Sequence, residues 1–312
     1  KEPGNGDALV AKATLLAGTG KLNDGVTVLQ GAVQGNPGSS ALQYKLGQFY
    51  GLQGNDAAAL AALNEALRLN PGMARAEVEI AKIDFRAGKL DLAEQMLTSA
   101  LTKIPGYVEA HMILARIQLM QGNLARAEPR IRGLARVLPS LPVVQGELGQ
   151  LELLKKNRPA ARQAFQRALA TDPKQLDALA GLITMDIEEK QPSAAKARLD
   201  AALRTGTTDT PLILLASRTY ALLGDAEGTE RYAKKAIEVA PNELDAYAIL
   251  GRLYVKQGRI DQAIAQFSEA AVKNPKSVPA PTIIGMLLQS QGKTKEARER
   301  YEQALANDSR AA

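Results

Sequence analysis

The hydrophobic pattern of the chain repeats with a period of 34 residues. In most periods a small residue is followed four positions later by a large apolar residue, and seven positions later by a second small residue. Ala59, Leu63 and Ala66 form one such set. These spacings place the three side chains on one helix face, where small residues let a neighbouring helix approach closely. The pattern predicts one tightly packed helix in every period.

Glycines and prolines mark the ends of the predicted helices. A glycine recurs before most of the packed helices, where a first helix would have to end and turn; the set is Gly20, Gly54, Gly88, Gly122, Gly224, Gly258 and Gly292. A proline closes most periods, at Pro3, Pro37, Pro71, Pro105, Pro139, Pro173, Pro241 and Pro275, and Thr207 and Ser309 occupy the two other slots. Each period is therefore predicted to be a helical hairpin, and stacked hairpins of fixed period form a solenoid.

Two stretches, "ALQYKLGQFYGLQGNDAAALAALNEALRLNP" and "DAYAILGRLYVKQGRIDQAIAQFSEAAVKNP", resemble tetratricopeptide repeats. The family's Leu-Gly pair stands at Leu46-Gly47, its Tyr at Tyr50 and its closing Pro at Pro71. The resemblance implies an all-α, right-handed superhelical solenoid of nine 34-residue helix-turn-helix repeats. Their expected bounds are 6–39, 40–73, 74–107, 108–141, 142–175, 176–209, 210–243, 244–277 and 278–311.

Both ends and one junction depart from a regular array. The opening "KEPGN" (1–5) is in phase with the later Pro-Gly pairs, so we interpret it as the tail of a preceding repeat in a longer array. No polar helix follows Tyr301, Ala304 and Leu305, which makes end-to-end self-association a hypothesis. The closing Pro is missing within 204–211 and Gly206 enters, so a hinge is predicted there.

The residue inventory argues against catalysis. The chain has no Cys and one His, His111, which occupies a packing position and is interpreted as structural. We therefore predict no enzyme activity, no metal and no cofactor. Aromatic residues make up 4% of the chain, which disfavours nucleic acid as a partner. No apolar run is long enough for a transmembrane segment.

The resemblance implies a concave groove, lined by the first helices, that takes an extended peptide or a helix of another protein. The ninth position of each repeat belongs to this lining. Adjacent repeats place basic residues there twice, Lys82 with Arg116 and Arg218 with Arg252, which would suit an acidic partner. Apolar neighbours could take an apolar anchor. The predicted groove residues are Tyr44, Gln48, Lys82, Phe85, Met112, Arg116, Met120, Gln150, Arg218 and Arg252. The alternative is that the apolar members only pack the inner helices together.

A second candidate surface is basic. The net charge is +6, and residues 116–170 alone carry ten Lys and Arg against Glu128, Glu147 and Glu152. The predicted basic outer face consists of Arg126, Arg130, Arg132, Arg136, Arg162 and Arg167. It could dock an acidic protein, an anionic polysaccharide or lipid headgroups, although a solvated face is the simpler interpretation.

We therefore expect a non-catalytic scaffold that recruits a partner protein. The alanine-rich, gapless repeats are similar in texture to bacterial arrays of envelope and exopolysaccharide export, including exosortase-associated lipoproteins, which favours a periplasmic or envelope-associated location. The alternatives are a regulatory array of a larger enzyme and a module that self-assembles end to end.

Overall fold

The computed structural model describes residues 6–204, 207–241, 243–275 and 277–307. These residues form eighteen α-helices and no strand. The helices are α1 Gly6–Gly18, α2 Leu22–Gly35, α3 Ser40–Leu52, α4 Asp56–Leu69, α5 Ala74–Arg86, α6 Leu90–Lys103, α7 Val108–Met120, α8 Leu124–Val137, α9 Pro142–Leu154, α10 Arg158–Thr171, α11 Leu176–Glu188, α12 Pro192–Leu203, α13 Thr210–Leu222, α14 Ala226–Val239, α15 Leu244–Lys256, α16 Ile260–Lys273, α17 Pro279–Ser290 and α18 Thr294–Asn307. The all-α class and the two helices per 34-residue period are confirmed.

The chain divides into two compact units, Lys1–Asn157 with α1 to α9 and Arg158–Ala312 with α10 to α18. Within each unit every helix packs on the helix that follows it. First helices of adjacent repeats also contact one another, as α3 and α5 do in the first unit and α13 and α15 in the second. The first helices therefore form a layer of their own in the first unit, and α11, α13 and α15 form one in the second.

The small-large-small pattern forms the core of each hairpin. Leu63 and Leu97 are almost fully buried, and the alanines on either side of each are equally buried. In some repeats the two helices of a hairpin lie so close together that only glycine fits at the contact. A Cβ added to Gly47 would lie 2.6 Å from Leu63 Cγ, and one added to Gly251 would lie 2.5 Å from Phe267 Cε2.

The turns inside the hairpins use the left-handed backbone conformation. All seven of the predicted helix-ending glycines have φ between +72° and +80°, which glycine adopts without steric cost. Lys156 and Lys190 hold the same slot in the fifth and sixth repeats, with φ of 60° and 57°. The turn geometry is therefore kept in two repeats that lack the glycine.

The fourth position of several repeats ties the first helix to the turn before it. His111 Nε2 lies 2.8 Å from the Pro105 carbonyl oxygen, Gln145 Nε2 donates to the Pro139 carbonyl at 2.8 Å, and Tyr247 Oη donates to that of Pro241 at 2.9 Å. His111 thus takes part in the same kind of contact as an amide and a phenol at equivalent positions.

Some sequence predictions concern residues outside the described ranges. Residues 1–5, interpreted as the tail of a preceding repeat, are among them, as are 308–311 of the ninth repeat and residues 205 and 206 of the predicted hinge. Among the residues that are described, no helix combines the length and the apolar character needed to cross a membrane.

Candidate functional site

A continuous polar network runs along the first helices of the first unit. Gln48 on α3 donates to the hydroxyl of Tyr44 at 2.8 Å and to Glu79 on α5 at 3.0 Å. Lys82 then lies 3.2 Å from Glu79 and 2.5 Å from Glu109 on α7. The structure therefore brings three predicted groove residues together, and it neutralises Lys82 with two carboxylates from this same face.

The network shifts the pKa values of its members. Burial, and then the nearby Glu79 carboxylate, raises the pKa of Tyr44 to about 12. Desolvation lowers the pKa of Lys82, but the hydrogen bond that Lys82 donates to Glu109 and the charge of Glu79 outweigh it, so the pKa is raised overall. Tyr44 therefore stays a neutral hydrogen-bonding group, and Lys82 stays charged, throughout the physiological range.

An open pocket of about 600 Å³ lies beside this network on α5, α7 and α9. Phe85, Met112 and Val143 supply much of its apolar wall. Arg116 and Glu147 lie at the same pocket and form an ion pair, with Arg116 Nε 2.7 Å from Glu147 Oε1. The pocket is thus apolar with an internally neutralised polar edge, an arrangement typical of sites that accept an apolar side chain.

Met120 and Gln150 are the two predicted groove residues of the first unit that lie outside the network and the pocket. Met120, the last residue of α7, is 63% exposed. Gln150 on α9 is partly buried. Neither lines the pocket of Phe85 and Met112.

The second unit holds the other two predicted groove cations in a different environment. Arg218 on α13 and Arg252 on α15 line one open pocket of about 570 Å³. Leu222, Ile249 and Leu253 form its apolar wall. Arg218 is paired with Asp245, whereas no ion pair of Arg252 occurs within the described part of the chain.

The predicted basic outer face lies on second helices, and much of its charge is compensated. Arg126 pairs with Glu94 at 2.7 Å, and Arg132 pairs with Glu128 and Glu152. Arg162 pairs with Asp186 and Glu189, and Arg130 contacts His111 Nδ1 at 2.5 Å. Arg136 and Arg167 are exposed.

Counting charges within residues 116–170 misses part of this compensation, because Glu94, Asp186 and Glu189 lie in neighbouring repeats outside that segment. Glu94, for example, lies 32 residues before Arg126. Glu79 and Glu109 were likewise absent from the predicted site. Aligning the second and sixth positions of successive repeats with the ninth would have shown the pairs of Lys82 and Arg116, because the first helices of their repeats touch.

Within the residues that the structure describes, no group of three or more acidic, His or Cys side chains could hold a metal ion. What the described faces offer is a pocket bordered by a network of ion pairs and hydrogen bonds in one unit, and a pocket with basic side chains in the other. Such surfaces fit recognition of another molecule.

The tandem helical hairpins define the class as a helical-repeat scaffold. Tetratricopeptide repeat patterns match residues 84–146, 153–217 and 220–281, and a second tetratricopeptide repeat pattern matches residues 10–74. These segments make up more than half of the chain, so the chain belongs to the tetratricopeptide repeat family, whose members serve in general as protein-interaction scaffolds. A comparison with curated proteins finds no significant relative.

Solved structures share the fold. A tetratricopeptide repeat protein from Parabacteroides merdae is 18% identical with a TM-score of 0.63, over 80% of this chain and 98% of that one. A structure of the APC/C hetero-tetramer Cut9-Hcn1 is 15% identical with a TM-score of 0.55, over 90% of this chain and 56% of that one. At these identities the likeness extends to the fold alone.

Proposed function

We propose that this chain is a non-catalytic scaffold that binds a segment of a partner protein on the first-helix face of its first unit. The observation that carries the proposal is the pocket of Phe85, Met112 and Val143 beside the polar network. Val143 is 44% exposed on this face. An apolar side chain of a partner would cover this surface, which water otherwise contacts at a free-energy cost.

The polar network would fix the direction of the bound segment. Gln48, Glu79, Lys82 and Glu109 already bond to one another, so their side chains are held in place before a partner arrives. A preorganised polar edge loses less conformational entropy on binding than mobile side chains do. The cations at Lys82 and Arg116 are neutralised from within the chain, so we assign them to orientation rather than to selection of an acidic ligand.

The experiment is selection of peptides from a random dodecapeptide library on the immobilised chain, followed by fluorescence polarisation of labelled peptides. Val143→Glu places a charge in the pocket wall, and we expect it to weaken binding at least about tenfold, because an unpaired charge in an apolar contact is poorly solvated. The matched control is Val137→Glu. Val137 is an exposed valine on α8, outside this pocket.

Retained binding by the control and lost binding by Val143→Glu would support the site. Equal losses in the two variants, or equal retention, would contradict binding in this pocket. Circular dichroism of both variants separates lost binding from lost structure.

A further inference from the structure

The pocket between α13 and α15 contains basic side chains that the chain itself does not neutralise. Besides Arg218 and Arg252 it is lined by Lys256, and no Asp or Glu is part of its lining. Arg218 is paired with Asp245. Across the described ranges, neither Arg252 nor Lys256 has a carboxylate within ion-pair distance. The pocket therefore keeps two uncompensated positive charges.

The repeat register explains why Arg252 is unpaired. Lys82, Arg116 and Arg218 hold the same ninth position and find carboxylates at three places, the sixth position of their own repeat and the second and sixth positions of the next. For Arg252 these three places hold residues that carry no charge, namely Ile249, Pro279 and Ile283.

The same comparison applies to Lys256. Arg86, at the thirteenth position of its repeat, pairs at 2.7 Å with Asp56 at the seventeenth position of the repeat before. For Lys256 the corresponding residue is Ala226, which also lines the pocket. Both cations therefore lack the partners that equivalent residues have in the first unit.

The two cations stand beside exposed apolar surface. They are four residues apart on α15, so their side chains share one face of the helix, where like charges repel. Leu222 at the end of α13 is 68% exposed, while Ile249 and Leu253 are nearly buried and form the floor. A ligand that brought a carboxylate would relieve the repulsion, and an aliphatic group next to it would cover Leu222.

We propose that this pocket binds a partner segment in which a carboxylate lies next to an aliphatic side chain. The carboxylate accepts hydrogen bonds from Arg252 and Lys256, and the aliphatic group packs on Leu222 and Leu253. This inference rests on the proposed function as a protein-binding scaffold, and it places the selection of acidic segments in the second unit. In the first unit the corresponding cations are already occupied by the chain's own carboxylates.

The test uses fluorescein-labelled dodecapeptides recovered from the random library, with the chain as a whole. We expect the recovered peptides to be enriched in Asp or Glu adjacent to Leu, Ile or Val. The double variant Arg252→Gln, Lys256→Gln is expected to weaken their binding at least tenfold, because charge-assisted hydrogen bonds are lost. The control Lys293→Gln, Lys295→Gln removes two exposed cations that line neither this pocket nor the pocket of the first unit, and it is expected to change this binding less than threefold.

Charge reversal provides the second measurement. The variant Arg252→Glu, Lys256→Glu is expected to lose the acidic peptide and to bind the version in which the acidic residue is replaced by Lys. Neither cation makes an ion pair among the described residues, so we expect these variants to stay folded, with the helical circular dichroism spectrum of the parent. Binding of the Lys-substituted peptide by the charge-reversed variant would show that the charges of the peptide and of the pocket are in direct contact.

Four results would overturn the inference. Peptides that respond to Val143→Glu but not to the Arg252 and Lys256 variants would refute it and leave the proposed function standing. Recovery of no peptide at all would count against both proposals. If heparin displaces the labelled peptide as well as unlabelled peptides of neutral to acidic charge do, the pocket attracts polyanions without specificity. If the chain binds only to vesicles of anionic phospholipid, the pocket recognises a membrane surface.

Discussion

Asp186 on α11 is the most deeply buried charge in the described part of the second unit, and its removal is predicted to destabilise that unit. Its carboxylate is fully buried and accepts from Arg162 of α10 at 2.9 Å and from Arg198 of α12 at 2.6 Å. The two arginines are only 25% and 29% exposed. One carboxylate therefore links three consecutive helices by two charge-assisted hydrogen bonds.

The substitution Asp186→Ala leaves both guanidinium groups without this partner. Breaking a buried ion pair by removing one member costs about 3–5 kcal/mol. Because Arg162 retains Glu189 at 2.8 Å, and because both arginines reach water, we expect a loss near the lower bound, about 3 kcal/mol. The isosteric change Asp186→Asn keeps an acceptor oxygen and should cost about 2 kcal/mol.

The assay is urea unfolding followed by circular dichroism, together with hydrogen exchange of the α10 to α12 amides. Hydrogen exchange is needed because repeat arrays can unfold in sections rather than as one body. The control Glu188→Gln removes an exposed partner of Arg158, 57% accessible, and should cost at most about 1 kcal/mol. Equal losses for Asp186→Ala and Glu188→Gln, or faster exchange spread evenly over the chain, would refute the reasoning.

Two further predictions concern packing and pH. Gly251→Ala should lower the stability by about 1–3 kcal/mol, because the new Cβ would overlap the buried Phe267 ring. Gly133→Ala, with no neighbouring atom within 4 Å, should raise the stability by about 0.5–1 kcal/mol. A higher melting temperature for Gly251→Ala would contradict the first prediction, and a lower one for Gly133→Ala would contradict the second. Burial and a hydrogen bond to Asp200 raise the pKa of Tyr220 to about 12, so its contribution to stability is present below pH 10 and is lost as the pH rises towards 12. The urea midpoint of Tyr220→Phe should fall less steeply than that of the parent above pH 10, and identical slopes would contradict the assignment.

The fold was predictable from the sequence because a single period controls every element. Leu63 and its flanking alanines specify the packed face, and the glycine slots specify the turns, so one repeat predicts the rest. The turns at Lys156 and Lys190 show that the backbone conformation is kept even where the local signal is lost. Packing on the neighbouring repeats holds these turns in the left-handed conformation, which glycine would have favoured locally.

The candidate sites were less predictable, since their electrostatics depends on residues about one period apart. Lys82 and Arg116 stood out in the sequence as cations in a binding face, but the structure pairs both of them with acidic side chains. Arg252 had no greater prominence in the sequence, although it is the ninth-position cation without such a partner. A charge is informative here only when its neighbour in the next repeat is known.

The ion pairs between successive hairpins mean that the repeats are not interchangeable parts. If residues 74–107 were excised, the hairpins on either side could still stack through their alanine faces, because the period would be unbroken. Asp56 would then face Met120 in place of Arg86, and Glu109 would lose Lys82. Duplication or loss of a unit during evolution would therefore preserve the fold while it exposed new charges at the junction. Each such event would create or remove a recognition surface without changing any residue.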